Sequence, residues 1–175
     1  YKATFLGSGA LTGHFDPAWL DQRDAAGVTM REAMRAAGLP ADMASIGLLR
    51  RDPARYLGFV EIHIEQGPVL DAEGITIGAV ADLQGISWQE IAVTGQSNHA
   101  GTTPMRLRHD AGYCAAAIGT FLRDLAREMG GSQVCTMGKV DLHPNLINVI
   151  AARAKLTADL RNTDEALLRE SERRL

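Results

Sequence analysis

A long stretch with helical periodicity, flanked by strand-like segments, limits most strongly what the second half of this chain can fold into. The helical pattern begins at His109, runs to about Met129 and is ended by Gly130-Gly131. Its apolar positions are Ala115, Ala116, Ile118, Phe121, Leu122 and Leu125. Three further segments are predicted strands: 87–94, 134–140 and 155–161. With a last helix after residues 162–164, this order is typical of an α+β sandwich with helices on one face of an antiparallel sheet.

The first half of the chain combines helix starts with two more strand-like segments. Thr29 and Glu32 form a capping box, which predicts a helix that ends at Gly38. Asp16-Pro17 predicts the start of an earlier helix. Two segments are predicted strands: 58–64 and 75–80.

The change of pattern near residue 83 predicts two domains, residues 1–82 and residues 83–175. A ferredoxin-like arrangement of the second domain would need one more strand after Leu175. The chain starts at Tyr1 without an initiator Met, and Leu175 interrupts a helical pattern that has no stop signal. We therefore expect this chain to be an internal piece of a longer protein.

Composition limits the possible partners. Hydrophobic residues make up 46% and charged residues 22% of the chain, which suits a packed globular core. The net charge of −3 and the lack of a basic stripe argue against nucleic acid as a partner. No apolar run approaches the roughly 20 residues of a membrane span, and no signal-peptide pattern is visible. Two well-separated cysteines, Cys114 and Cys135, favour a reduced, cytoplasmic protein.

His63 and Glu65 lie two residues apart on a predicted strand, so their side chains should project from one face. An imidazole and a carboxylate on one face can share a metal ion or a proton. The alternative is a strand-end histidine held by a neighbouring acid. Spacing alone favours this second interpretation, since zinc requires at least three protein ligands and the other histidines supply none at a suitable spacing.

The polar segment around His99 is the densest candidate for a functional loop. Small residues on both sides of His99 allow another group to approach closely, and loops often carry functional sites. His99 could donate a hydrogen bond to a developing oxyanion. The alternative is a turn motif ahead of the long helix, and the residues alone do not decide between the two.

Asn148 and Arg161 are candidates for ligand binding. Asn148 is a polar residue in an apolar stretch, so it either turns the chain or meets a ligand, because a buried amide needs a partner. Arg161 ends a predicted strand, and its planar guanidinium can grip a carboxylate with two hydrogen bonds. A salt bridge from Arg161 to Asp159 or Asp164 is the alternative that spacing favours.

Four motifs in a fixed order resemble one enzyme family. They are Ile62-His63-Ile64-Glu65-Gln66-Gly67-Pro68, Asn98-His99-Ala100-Gly101-Thr102-Thr103-Pro104-Met105, Ile147-Asn148-Val149-Ile150 and Asp159-Leu160-Arg161. The set resembles the metal-dependent amidohydrolases that cleave N-carbamoyl-L-amino acids, allantoate or β-ureido acids. The resemblance extends from Gly7-Ser8 to the last helix. It implies a zinc-peptidase-like α/β catalytic domain with two divalent metal ions, followed by a ferredoxin-like α+β lid that forms a homodimer.

The resemblance also implies a role for each site residue. His63 matches a metal ligand, and Gln66 a position near the substrate. His99 matches a lid histidine that reaches the neighbouring subunit's active site and stabilises the oxyanion. Asn148 and Arg161 match lid residues that hold the substrate carboxylate. The ions could be zinc, manganese, cobalt or nickel.

Some features depart from the family pattern. Ala151 stands where the family usually has Pro, Gly9 replaces a commonly basic position, and the other metal ligands and the general base are absent from this chain. The expected activity is hydrolysis of a ureido C–N bond in the intact enzyme, on N-carbamoyl-L-amino acids or alternatively on allantoate or β-ureidopropionate. Two rivals are a non-catalytic lid and dimerisation module and a related zinc peptidase.

Overall fold

The computed structural model describes residues 1–175 and divides into two compact units, Tyr1–Gly67 and Pro68–Leu175. The division falls at residue 67, whereas the domain boundary predicted from the sequence is at residue 82. The residues between these two positions, apart from Leu70, are exposed.

The first unit is helical. Its helices are α1 (Leu6–Thr12), α2 (Met30–Ala36) and α3 (Met43–Gly47), with 3-10 turns at Pro17–Asp21 and Pro53–Arg55. The predicted capping box is present, since Thr29 Oγ1 accepts the Glu32 amide at 3.1 Å and Glu32 Oε2 accepts the Thr29 amide at 2.7 Å. The helix predicted from Asp16 is only the first 3-10 turn. Apolar side chains from separate segments form a small core: Ala10, Leu20 and Ile46, flanked by Phe15 and Met34.

The strands predicted at 58–64 and 75–80 are not formed. Both segments are exposed, and Ile62 is 99% accessible. Alternating polarity describes the two faces of a strand, but a strand also needs a neighbour for its backbone hydrogen bonds, and no strand of this chain pairs with either segment. The prediction that His63 and Glu65 share one strand face is therefore wrong for this chain.

The second unit holds one four-stranded antiparallel sheet. It contains the short α4 (Val69–Glu73), followed by β1 (Gly85–Thr94), α5 (Ala111–Met129), β2 (Val134–Thr136), β3 (Val140–His143), β4 (Arg153–Asn162) and α6 (Glu165–Arg174), with a 3-10 turn at Met105–Leu107. Central β4 pairs with β1 along its whole length, from Gly85 opposite Asn162 to Thr94 opposite Arg153. On the other edge of β4 lie β2 and then β3.

The single strand predicted at 134–140 is two strands. Thr136 lies opposite Asp159 and Val140 opposite Leu156, so the three residues 137–139 face only residues 157 and 158. One extra residue in one strand is the signature of a β-bulge, which interrupts the ladder.

Both long helices cover one face of the sheet. Alternate residues of β4 point towards them and are buried: Ala154, Leu156, Ala158, Leu160 and Asn162. Ala111 and Ala115 of α5 pack on one end of this row, and Leu122 of α5 and Leu168 of α6 on the other. The opposite face of the sheet is not covered by a helix and carries Trp88, Asp159 and Arg161. This arrangement matches the predicted antiparallel sheet with helices on one side. None of the helices has the length and apolar character needed to span a bilayer.

The N-terminus of α5 depends on one carboxylate. Asp110 Oδ1 accepts the backbone amides of Gly112 at 2.9 Å and Tyr113 at 3.1 Å. Replacing Asp110 with Ala leaves these amides without that partner, so we expect a loss of about 1 kcal/mol in the free energy of unfolding. Urea denaturation followed by circular dichroism measures it. Asp110→Asn keeps a capping oxygen and should lose much less; an equal loss in both variants would contradict the capping role.

Candidate functional site

The loops that carry His99 and Asn148 are held together by backbone hydrogen bonds. The Ala100 amide donates to the Asn148 carbonyl oxygen, and the Ile150 amide donates to the Asn98 carbonyl oxygen, both at 2.9 Å. His99 is thereby bridged to Val149 in antiparallel fashion. The pairing of β1 with β4 therefore continues beyond Thr94 and Arg153. The motifs that contain His99 and Asn148, which are distant in sequence, meet in this extension.

The His99 ring is exposed and has a defined orientation. Its Nδ1 lies 3.0 Å from the Gly101 amide, which donates to it. When Nδ1 accepts a hydrogen bond, the proton of the neutral imidazole is assigned to Nε2. Nε2–H is then available as a donor to a group outside this loop.

Side-chain hydrogen bonds to backbone carbonyl groups stabilise the loop around His99. Arg108 Nη2 donates to the Ala100 carbonyl oxygen at 2.6 Å, and Arg108 Nε to that of Thr103 at 3.1 Å. The Thr103 hydroxyl donates to the His99 carbonyl oxygen at 2.7 Å. Arg108 is not recognisable as a site residue from the sequence, because an arginine that bonds to loop carbonyls leaves no signature in residue spacing.

Arg161 forms a bidentate ion pair with Asp159 on the uncovered face of the sheet. Its Nε lies 2.9 Å from Asp159 Oδ1, and its Nη2 lies 2.7 Å from Oδ2. Trp88, directly opposite Asp159 on β1, also hydrogen-bonds to this carboxylate. The hydrogen bond from Arg161 and, to a lesser extent, the one from Trp88 hold the pKa of Asp159 below its usual value. The salt bridge that spacing favoured is confirmed.

Asn148 lies beside His99 and far from Arg161. The loop of Asn148 adjoins the end of β4 that begins at Arg153, whereas Arg161 lies near the other end. The eight residues from Arg153 to Arg161 correspond to roughly 26 Å of extended strand. One chain therefore cannot hold a single small carboxylate with both Asn148 and Arg161.

His63 and Gln66 belong to the first unit. His63 is exposed, and its Nδ1 makes a short hydrogen bond to the Ile64 carbonyl oxygen. Gln66 has a φ of 54°, a left-handed conformation uncommon for residues other than glycine. No three His, Cys, Asp or Glu side chains of residues 1–175 are grouped so that they could hold a metal ion.

Known proteins resemble this chain along nearly all of its length. An N-carbamoyl-L-amino acid amidohydrolase of Geobacillus stearothermophilus is 38% identical over 162 residues, which are 93% of this chain and 39% of that protein. Allantoate amidohydrolase of Escherichia coli is 40% identical over 147 residues, 84% of this chain and 35% of that protein.

Solved structures show the same similarity. An amidase of the hydantoinase/carbamoylase family from Burkholderia phymatum superposes with a TM-score of 0.81 at 32% identity, covering 98% of this chain and 42% of that one. No protein-family model matches the chain. The chain thus spans about two fifths of the length of the proteins it resembles.

Proposed function

This chain belongs to the family of the N-carbamoyl-L-amino-acid and allantoate amidohydrolases, and from that premise we propose that the whole protein hydrolyses a ureido C–N bond. The proposed substrate is an N-carbamoyl-L-amino acid, with allantoate or a β-ureido acid as the alternative. The products would be the free amino acid, carbon dioxide and ammonia. Residues 1–82 would be part of a zinc-peptidase-like catalytic domain, and residues 83–175 most of a ferredoxin-like lid.

The observation that carries this proposal is the fixed ring of His99. Hydrolysis of a ureido group passes through a tetrahedral intermediate with a negatively charged oxygen. A hydrogen-bond donor that is already oriented stabilises that charge without reorganising during the reaction. The Gly101 amide holds Nδ1, and Nε2–H remains free for this task.

The family chemistry implies two divalent metal ions, and this chain alone does not supply a site for them. His63 is the one ligand that we assign to such a centre. Three protein ligands are the usual minimum for zinc, and no such cluster is formed by residues 1–175. The remaining ligands would come from parts of the whole protein that its relatives have and this chain does not span.

The distance along β4 supports a site shared by two copies of the protein. Arg161 would bind the substrate carboxylate in one protomer, because its guanidinium suits a carboxylate. His99, with Asn148 beside it, would reach that substrate from the partner, since these residues lie at the other end of the sheet. Asn148 and Arg161 would then contribute to one site from different protomers.

An assay of the whole protein tests the proposed activity. We expect it to release amino acid and ammonia from N-carbamoyl-L-amino acids. Allantoate and β-ureidopropionate distinguish the substrates within this class, and dipeptides test the peptidase alternative. Cleavage of dipeptides without cleavage of any ureido acid would overturn the proposal.

The glycine at position 101 should affect catalysis through the His99 ring. A Cβ added at Gly101 would lie 3.2 Å from His99 Cε1, so the ring must move by a few tenths of an ångström. We expect Gly101→Ala to lower kcat of the whole protein by about tenfold, because small misplacements of catalytic groups are costly. Steady-state kinetics measures this change.

The control for that variant is Gly47→Ala. A Cβ at Gly47 meets no atom within 4 Å, and this glycine has no positive φ. Its kcat should equal that of the unaltered protein. A Gly101→Ala variant with unchanged kcat would show that the close approach to His99 does not matter for turnover.

A further inference from the structure

The ion pair of Arg161 with Asp159 uses only one edge of the guanidinium. Asp159 lies two residues earlier on β4, so both side chains project from the same uncovered face. The carboxylate meets the edge formed by Nε and Nη2, with a second contact of 3.2 Å from Nε to Oδ2. The pairing is therefore side-on.

The other edge of Arg161 remains open. A guanidinium carries five N–H donors, and the side-on pair occupies the one on Nε and one on Nη2. One donor of Nη1 and the second donor of Nη2 form the end-on edge, and the other Nη1 donor points back along the side chain. No hydrogen bond from Arg161 to any other group of the chain is made by these three donors. The Arg161 side chain is 34% exposed, so a ligand can reach this edge.

Asp159 is itself held in place from the neighbouring strand. Its carboxylate is a partner of Trp88, which lies opposite it in the register of β1 and β4. Hydrogen bonds from both sides keep the pKa of Asp159 low, so the group is ionised at neutral pH. Only 27% of its side chain is exposed. A carboxylate fixed in this way can hold the guanidinium in one orientation.

We propose that Asp159 is a positioning residue for Arg161. Its side-on ion pair fixes the guanidinium so that the end-on edge faces the carboxylate of the substrate. This inference rests on the proposed role of Arg161 as the carboxylate-binding residue. Fixing the long arginine side chain before the substrate arrives removes an entropic cost from binding. Asp159 therefore assists the binding of a second carboxylate rather than competing with it.

Kinetics of Asp159→Asn in the whole protein test this inference. The substrates are an N-carbamoyl-L-amino acid and its carboxamide analogue, which lacks the carboxylate. We expect KM for the acid to rise about tenfold with kcat nearly unchanged, since a charge-assisted bidentate pair is lost. KM for the carboxamide should not change. A structural defect would affect both substrates.

Glu90→Gln is the matched control. Glu90 is another carboxylate on the uncovered face of the sheet, and it pairs with Lys155 at 2.8 Å rather than with Arg161. This variant should leave both KM values unchanged. If Asp159→Asn does not fold, Trp88→Phe replaces it, because it removes the indole N–H that supports Asp159 and keeps an aromatic ring at this position. A smaller rise in KM for the acid alone is then expected.

Arg161→Lys separates the failure of this inference from that of the proposed function. If Arg161→Lys raises KM for the acid and Asp159→Asn leaves it unchanged or lowers it, the positioning role is overturned and the role of Arg161 stands. If neither variant alters the preference for the acid over the carboxamide, Arg161 does not bind the carboxylate. In that case the proposed role of Arg161 and the inference drawn from it both fail.

Discussion

Replacing His99 with alanine in the whole protein is expected to lower kcat by about 10²–10³-fold and to leave KM nearly unchanged. The reason is that the Nε2–H of His99 would act on the charge of the tetrahedral intermediate, and the uncharged substrate carbonyl gains much less from it. Steady-state kinetics with an N-carbamoyl-L-amino acid measures both constants.

The matched control is His109→Ala. His109 is another exposed histidine, close to the same loop, and the proposed reaction assigns no role to its side chain. It should retain full activity. If His99→Ala also retained full kcat, the ring would have no part in stabilising the oxyanion.

The second large effect concerns stability. Leu122 on α5 is 1% exposed and packs among Ala158, Leu160 and Leu168. Leu122→Ala should lower the free energy of unfolding by about 2–5 kcal/mol, because it removes buried methyl groups and leaves a cavity. Alanine is the best helix former, so helix propensity cannot account for such a loss. The shift of the urea midpoint measures it.

Leu167→Ala is the corresponding exposed change. Leu167 is on α6 and is 48% exposed, next to the buried Leu168. We expect a change within about 0.5 kcal/mol, as for most surface substitutions. Equal losses for Leu122→Ala and Leu167→Ala would mean that α5 does not form the core face described here.

Local sequence signals predicted an element correctly where its partners lie within this chain. The apolar stripe of α5 packs against the buried alternate residues of β4, and both elements form close to their predicted bounds. The segment 58–64 shows a comparable alternation but finds no neighbouring strand. Sequence periodicity indicates which face of a strand can be buried, and it does not provide the hydrogen-bonding partner.

The sequence indicated which types of residue form the candidate site, but not the distances between those residues. An imidazole in a small-residue loop and an arginine at a strand end were recognisable from their chemistry. Nothing in residue spacing revealed that Asn148 meets the His99 loop through backbone hydrogen bonds. The predicted strand 155–161 placed Arg161 at a strand end, but only the register of β1 with β4 shows that the His99 loop adjoins the opposite end. The pairing of Arg161 with Asp159 was predictable, because alternate residues of a strand share a face.

A mixed dimer tests most directly whether two copies of the protein build one site. His99→Ala and Arg161→Ala subunits, each expected to be inactive, are co-expressed with different tags, and the heterodimer is purified. If His99 and Arg161 serve one substrate from opposite protomers, one site combines both intact residues, and the heterodimer should show about half the activity of the unaltered dimer. A heterodimer as inactive as its two parents would contradict the shared site.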